Sequence, residues 1–586
     1  MPLQDILREI SVESAWSHLE YITENIPSRL AGSANARRMA EYSHAICAKA
    51  GLDARLHEFF GLVSFPEEAA VRILSPGQRE IPGNTLGHSA STDGLEGELV
   101  YVGSGAETEY EGKDVRGKIT LSELSYAPGR HEKAYVAWKR GSIAQIMMNW
   151  GDETNPAVPF GSMKSAWGNP TPETLHSEIP DLPCAGIARP EGLRLKAFCA
   201  QGPVRVWLRT TADNRWAPLT LTTAEFGTQR EREFVLLGGH QDSWFGQAAS
   251  DNAAGNACMM ELSRVFFQHR DDLCRGLLTA FWVGHETGTM VSSSRFVDVN
   301  WERLRKYCVA YLQVDQPALA GTSRWDLHST DDIQAYAVEV TRKAAGTMPV
   351  FWERQKKNGD TSFFGVGVPT LSGEMGFTDE ELRATALAIC GWYHHSLHNT
   401  IDKIDKDLLA HHLQVYAHWL WGLLTQPILP YAYNPVATRF VDRLSEMARI
   451  EVPEINMAGV VERAKEFRQL TNQFDELSAR WRQEVYAAAD GERVADLLNR
   501  AMIGISRTLI PIACTNIGTY GQDRYGHSWQ TQMIPSLVPY PTLSKYPRDS
   551  EEFQTWWVAM VRARNRVLDA LDEASNVVRT VLKELA

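Results

Sequence analysis

Residues 279–290 read TAFWVGHETGTM, an apolar run that ends with His285 and Glu286 side by side. An imidazole next to a carboxylate can bind a metal or move a proton, but one such pair on a loop is more often simply solvated. Its meaning depends on whether neighbouring apolar runs end the same way, and they do. EFVLLGGHQDSW ends on His240 and Asp242, and YCVAYLQVDQP ends on Asp315. Two more stretches carry the same side-chain types: SDNAAGNA, with Asp251 ahead of a helix pattern, and WYHHSLHNT, with His394 and His395. Charged groups beside apolar strands are costly unless they are paired or bound to a metal. His, Asp, Glu, Asp and His without a thiolate make a donor set for zinc, with manganese or iron suited to a similar site. Five such residues are too many for one tetrahedral ion. If one carboxylate bridges, they suit two ions about 3.5–4 Å apart. His240 and Asp242 are two apart and face the same way in extended chain, so Asp242 is expected to orient the His240 ring and not to bind metal.

These residues need strands that end together. Residues 214–430 alternate strand and helix patterns, which predicts an α/β unit with a mixed, largely parallel sheet flanked by helices and ligands at the carboxyl ends of its strands. Residues 1–60 read as paired helices around SRLAGSANARR and are assigned to the same unit. Residues 61–213 hold short β-rich runs such as ELVYVG, GKITL and PVRVWL between Gly/Pro turns, which predicts an inserted β-rich domain. Residues 431–586 are mostly helical. In the last helix Phe553, Trp556, Met560, Val567, Leu571, Val578, Leu582 and Leu585 form one apolar stripe, a packing face. The polar, aromatic stretch 515–532, TNIGTYGQDRYGHSWQTQ, is longer than a connection requires.

Composition narrows the function classes. The 586 residues are 44% hydrophobic and 22% charged, with a net charge of −13 and no dense Lys/Arg run, which argues against a nucleic-acid or anionic-membrane partner. The start, MPLQDILREISVESAWSHLEYI, reads as helix and not as a signal peptide. Residues 408–424, LLAHHLQVYAHWLWGLL, contain three histidines and a glutamine, so a core helix is expected and not a membrane span. Eight cysteines without a CxxC spacing point to reduced thiols and a cytoplasmic location.

GGHQDSW, SDNAAG, GHETG, YLQVD, GDTSFFGVGVP and YHHSLHNT, in that order, resemble the co-catalytic zinc peptidases of the aminopeptidase and glutamate carboxypeptidase family. Residues 28–38 look like that family's N-terminal segment, and roughly 92–213 look like its inserted protease-associated domain. The helical end with TYGQDRYGHSW is similar to the dimerisation domain of glutamate carboxypeptidase II and the transferrin receptor. The resemblance implies a zinc-exopeptidase-like fold, two divalent ions, and a homodimer through the C-terminal helices, for which the stripe on the last helix also speaks. It makes Asp251 the bridging carboxylate, puts His240 and Asp315 on one ion, and puts Glu286 and His395 on the other. His394 falls where the carboxypeptidase branch has a tyrosine that helps hold the tetrahedral intermediate. Arg524 and Tyr525 fall near a Lys-Tyr pair that grips the substrate's terminal carboxylate.

Three departures from that pattern matter. His285 stands where the family has its glutamate general base; a neutral imidazole there can still accept a proton. The segment LSGEMGFTDEE (371–381) is acidic where the glutamate-preferring branch has arginines, and Asn399 stands where relatives tend to have an acid. The expected function is a two-metal hydrolase cleaving an amide bond in a small N-acyl amino acid or short peptide, with His285 as base. Other readings stay open: His285 orienting substrate or binding metal, a lyase or other C–N hydrolase on the same scaffold, and an inactive binding protein.

Overall fold

The computed structural model describes residues 3–228, 233–452, 454–526 and 531–585, so residues 527–530 of the expected loop 515–532 lie outside the described part. Its centre is an eight-stranded mixed sheet. The spatial order is Asp53–Pro66, Ala212–Phe226, Gly276–Trp282, Phe234–His240, Cys308–Gln313, Thr370–Gly376, Arg324–Ser329, Val350–Arg354. The strands Gly276–Trp282, Phe234–His240, Cys308–Gln313 and Thr370–Gly376 run parallel to one another, so their carboxyl ends share one edge. The first three are buried at every residue, which is why they read as unbroken apolar runs and not as alternation. Helices Ala254–Gln268 and Lys406–Thr425 cover the sheet. The second contains the 408–424 stretch, and among the described residues no helix is long and apolar enough to cross a membrane.

The N-terminal region departs from the expectation of helices through residue 60. Helix Ala34–Ala50 stops at Gly51, whose φ of 103° is open to glycine and whose N–H donates to the carbonyls of Ala48 and Cys47. Strand Asp53–Pro66 then pairs antiparallel with Ala212–Phe226 along its whole length. This ribbon leads into and out of a closed seven-stranded barrel. The barrel order is Glu68–Ser75, Arg79–Thr85, Cys184–Ile187, Ala144–Met148, Ile119–Glu123, Thr92–Tyr101, Val204–Thr210.

The last third holds helices Asn434–Ala448, Met457–Glu484, Gly491–Cys514 and Glu551–Glu584. Phe553, Met560, Val567, Leu571 and Val578 of the final helix are buried within the chain, and that helix packs on Met457–Glu484 and Gly491–Cys514. Most of the stripe that spoke for a homodimer is therefore covered within the chain, while Trp556 near its start stays exposed. Arg507 ties these helices to the sheet. Its buried guanidinium donates to the carbonyls of Leu304, Arg305, Cys308 and Gly367. Arg507→Leu would leave these carbonyls without a donor, and the expected loss is about 2–4 kcal/mol, read as a lower midpoint of chemical denaturation.

Candidate active site

Strand ends and the loops after them bring His240, Asp251, Glu286, Asp315, His394 and His395 into one buried cluster. His240 is the last residue of its strand. Gly239 before it lets the 314–315 turn approach, since a Cβ there would lie 2.3 Å from the Val314 carbonyl oxygen. Asp251 sits in extended conformation (φ −128°) inside the turn that precedes helix Ala254–Gln268. His395 adopts a left-handed φ of 53°, a strained value for a non-glycine that occurs mostly where geometry has a task.

The short distances form two sets of three. His240 Nε2 is 3.0 Å from Asp251 Oδ1 and 3.2 Å from Asp315 Oδ1. His395 Nε2 is 3.1 Å from Asp251 Oδ2 and 3.2 Å from Glu286 Oε1. Asp251 belongs to both sets, one oxygen to each. Buried Asp315 Oδ1 and Glu286 Oε1 make no hydrogen bond despite these approaches. Apart from the His240 Nε2–Asp251 Oδ1 contact, these atoms converge without hydrogen-bonding one another, as the donors of a cation site do. Bonds of about 2.0–2.1 Å to such an ion separate its ligand atoms by about 3.3 Å. Three overlapping groups, His240–His285–Asp315, Asp251–His394–His395 and His240–Asp251–Glu286, hold their donor atoms within 4.8 Å of one another, a donor set that fits a divalent ion.

Surrounding groups hold these side chains in place. Trp244 Nε1 donates to Glu286 Oε2 at 2.7 Å, leaving Oε1 turned to the cluster. Trp244→Phe should weaken metal binding by roughly 10–100-fold, the usual cost of losing such an orienting partner, as measured by titration against a competing chelator. Asp242 acts differently from the sequence expectation. Its backbone carbonyl faces His240 Nδ1 at 2.9 Å, while its carboxylate accepts the backbone N–H groups of His285 and Glu286. The carboxylate is thus an anchor for the His285–Glu286 turn and stays 4.0 Å from the His240 ring. Burial, chiefly, pushes the Asp242 carboxyl up to about 6. Asn399 lies beside the cluster and accepts from the Ser250 N–H and hydroxyl, so it fixes the residue before Asp251.

His285 stacks on His240 with ring centroids 3.9 Å apart. Its Nδ1 is 2.8 Å from Oδ2 of Asp360, a buried residue. This contact favours the tautomer that donates from Nδ1 and leaves Nε2 as an acceptor. Burial and the His240 charge lower the His285 pKa, Asp360 and Glu286 raise it, and the balance lies at about 9. Cations in the two sets would act against this rise and favour the neutral ring. His394 is part of the cluster: its Nδ1 is 3.3 Å from Asp251 Oδ2 and has no hydrogen bond, and its ring stacks on His395. Burial, and then the His395 charge, hold His394 well below its ordinary pKa.

The cluster opens into a cavity of about 270 Å³ that includes Tyr525 among its walls but not Arg524. Arg524 is engaged elsewhere, with Nε 2.8 Å from Glu178 and Nη1 donating to the Tyr135 hydroxyl. The guanidinium that reaches the cavity is Arg130, which donates to the Phe160 carbonyl and meets His395 Nδ1 at 3.1 Å, with Nε free of any hydrogen bond.

Residues 222–420 match peptidase family M28. This stretch contains every residue of the two sets. A probable glutamate carboxypeptidase of Zea mays is 22% identical over 510 residues, covering 72% of this chain and 68% of that protein. An aminopeptidase of Bacillus subtilis is 24% identical over 420 residues, covering 67% of this chain and 81% of that protein. Among solved structures, a zinc aminopeptidase from Bacillus subtilis superposes with a TM-score of 0.54 at 21% identity, over 71% of this chain and 96% of that one. The likeness shows the fold: a mixed sheet flanked by helices.

Sequence reasoning missed Asp360 and Arg130. Asp360 stands in GDTSFF, where Asp after Gly reads as an ordinary turn former. Arg130 is 265 residues from the histidine it touches, and no local pattern could have paired them.

Proposed function

We propose that the chain is a metal-dependent peptidase-like hydrolase acting on short peptides or small N-acyl amino acids, with His285 as general base. The observation that carries this reading is the pair of donor triads joined through the two oxygens of Asp251. Names among its relatives, peptidases of both the amino and the carboxy type, support it. His240, Asp251 and Asp315 would hold one divalent ion, and Asp251, Glu286 and His395 the other; zinc suits these donors. Bound ions would polarise the scissile carbonyl and make the attacking water more acidic.

The chain's own groups do the rest. Asp360 holds the His285 ring so that its free nitrogen faces the cavity, where it takes a proton from the attacking water and returns it to the leaving amine. His394, kept neutral, is placed to donate to the oxygen that gains charge at the carbonyl. Arg130 and Tyr525 close the far wall and offer a carboxylate-binding end, replacing the Arg524 and Tyr525 pair expected from the sequence.

A second reading has its own observation: a ring nitrogen of His285 lies within 4.8 Å of donor atoms of His240 and Asp315, so His285 could be a further metal ligand. His285→Ala separates the two. With zinc content unchanged and kcat on a dipeptide lowered by about 10²–10⁴-fold, His285 is the base. Loss of zinc would make it a ligand, and retained turnover would remove it from both roles.

A further inference from the structure

Several residues lining the cavity present acceptors that no donor of the described chain meets. Glu374 projects from strand Thr370–Gly376 into the cavity, and among the described residues its carboxylate makes neither a hydrogen bond nor an ion pair. Gln313, at the end of the adjacent strand and in register with Ser372, is buried, and its Oε1 has no partner. Oε1 of Gln316 is likewise buried without a donor. The Ser372 hydroxyl, the nearest candidate on the same strand, donates to Gln355 instead. Asp326, paired in register with Glu374, is an acid and has its own partner in Arg324 at 3.0 Å. Arg130 is the one guanidinium or ammonium group among the described lining residues, and its Nη1 already meets Phe160 and His395.

Buried acceptors left without donors carry a free-energy cost that a ligand can relieve. The partly exposed Glu374 carboxylate and the buried Gln313 and Gln316 oxygens, all lining one cavity, ask for a group with several N–H donors and a positive charge. We propose that Glu374, with Gln313 and Gln316, receives a protonated amine or a guanidinium of the substrate, so that this hydrolase selects basic substrates. The proposal rests on the hydrolase reading above and specifies its substrate class. Recognition works by difference: a neutral side chain of the same shape would leave these acceptors unpaired.

The cation can be a side chain or an N-terminal amine, and matched compounds separate these sources. Zinc-replete protein is given lysyl-alanine against norleucyl-alanine, N-acetyl-lysine against N-acetyl-norleucine, and leucyl-alanine against N-acetyl-leucyl-alanine, with kcat/KM measured for each. The expected result is a preference of about tenfold or more for the charged member of at least one pair. A preference in the first two pairs assigns these acceptors to a side chain; a preference confined to the third assigns them to the N-terminal amine. E374Q should bring that ratio close to one, and E374R should turn the side-chain preference toward glutamyl compounds, with zinc content checked for both variants. Equal rates within every pair, or a ratio unchanged in E374Q, would overturn the proposal. No turnover of any compound would instead count against the hydrolase reading. The cation site is then tested by calorimetric titration with 1,5-diaminopentane and 1,5-pentanediol. Selective binding of the diamine that E374Q abolishes upholds the cation site, and no difference between the two overturns it.

Discussion

Asp251→Asn is expected to remove zinc from both sets at once, giving a chain with less than one ion bound by elemental analysis and kcat/KM lowered by at least about 10³-fold. The size follows from position. Losing a single donor to developing charge costs about 10²–10³ in other enzymes, and Asp251 lies 3.0 Å from His240 Nε2 through one oxygen and 3.1 Å from His395 Nε2 through the other. An amide has one oxygen and an NH₂ in place of two equivalent anionic oxygens, so neither set would keep a charged oxygen from this residue and the link between the sets would be lost. By contrast Asp315→Asn should empty only the His240 set. If Asp251→Asn kept two ions, the bridging assignment would be wrong; if it lost one and matched Asp315→Asn, each set would stand alone.

Asp360→Asn should lower kcat by about 10²–10³-fold while zinc content and KM change little. Asp360 touches neither donor set directly; it acts through the 2.8 Å contact with His285 Nδ1. An amide there can present its NH₂ to Nδ1, turning the ring to the tautomer with a proton on the nitrogen that must accept one. The pH profile distinguishes this from simple loosening. Asp360 raises the His285 pKa, so replacing it with a neutral group lowers that pKa, and the acid limb of kcat/KM should move to lower pH even as the plateau falls. An unmoved limb with a lower plateau would mean that Asp360 supports the loop without acting on His285.

These two residues also mark the limit of what the sequence could say. That Asp251 joins the cluster was legible because its placement is local: it precedes a helix within a run of motifs whose spacing brings carboxylates and imidazoles to neighbouring strand ends. His240, Glu286, Asp315 and His395 were legible for the same reason. An apolar strand of known direction delivers its next residues to the sheet edge, and parallel strands share that edge. Asp360 was in view but unreadable, since a turn acid has many uses and only its buried contact with His285 selects one. The role of Asp242 shifted because sequence spacing cannot tell a side-chain acceptor from the backbone carbonyl of the same residue. Arg524 was misplaced because a loop's path is set by what it packs on, here Glu178 and Tyr135.

The apolar stripe of the last helix teaches the same point from the other side. Periodicity established that Phe553, Met560, Val567, Leu571 and Val578 share a face, and burial confirms that the face is used. Whether the covering surface comes from the same chain or from another copy has no signature in period or composition, because both bury the same side chains at the same spacing. Short-range patterns therefore determined which carboxylates and imidazoles meet at the sheet edge, the strand ends that carry them and the helical character of the last third. The tertiary structure alone decided which guanidinium faces the cavity, which acid holds His285, and that Glu374 stands there without a partner. Those outcomes depend on how segments 75 to 265 residues apart come together, and their free energies arise only once water has been excluded between them.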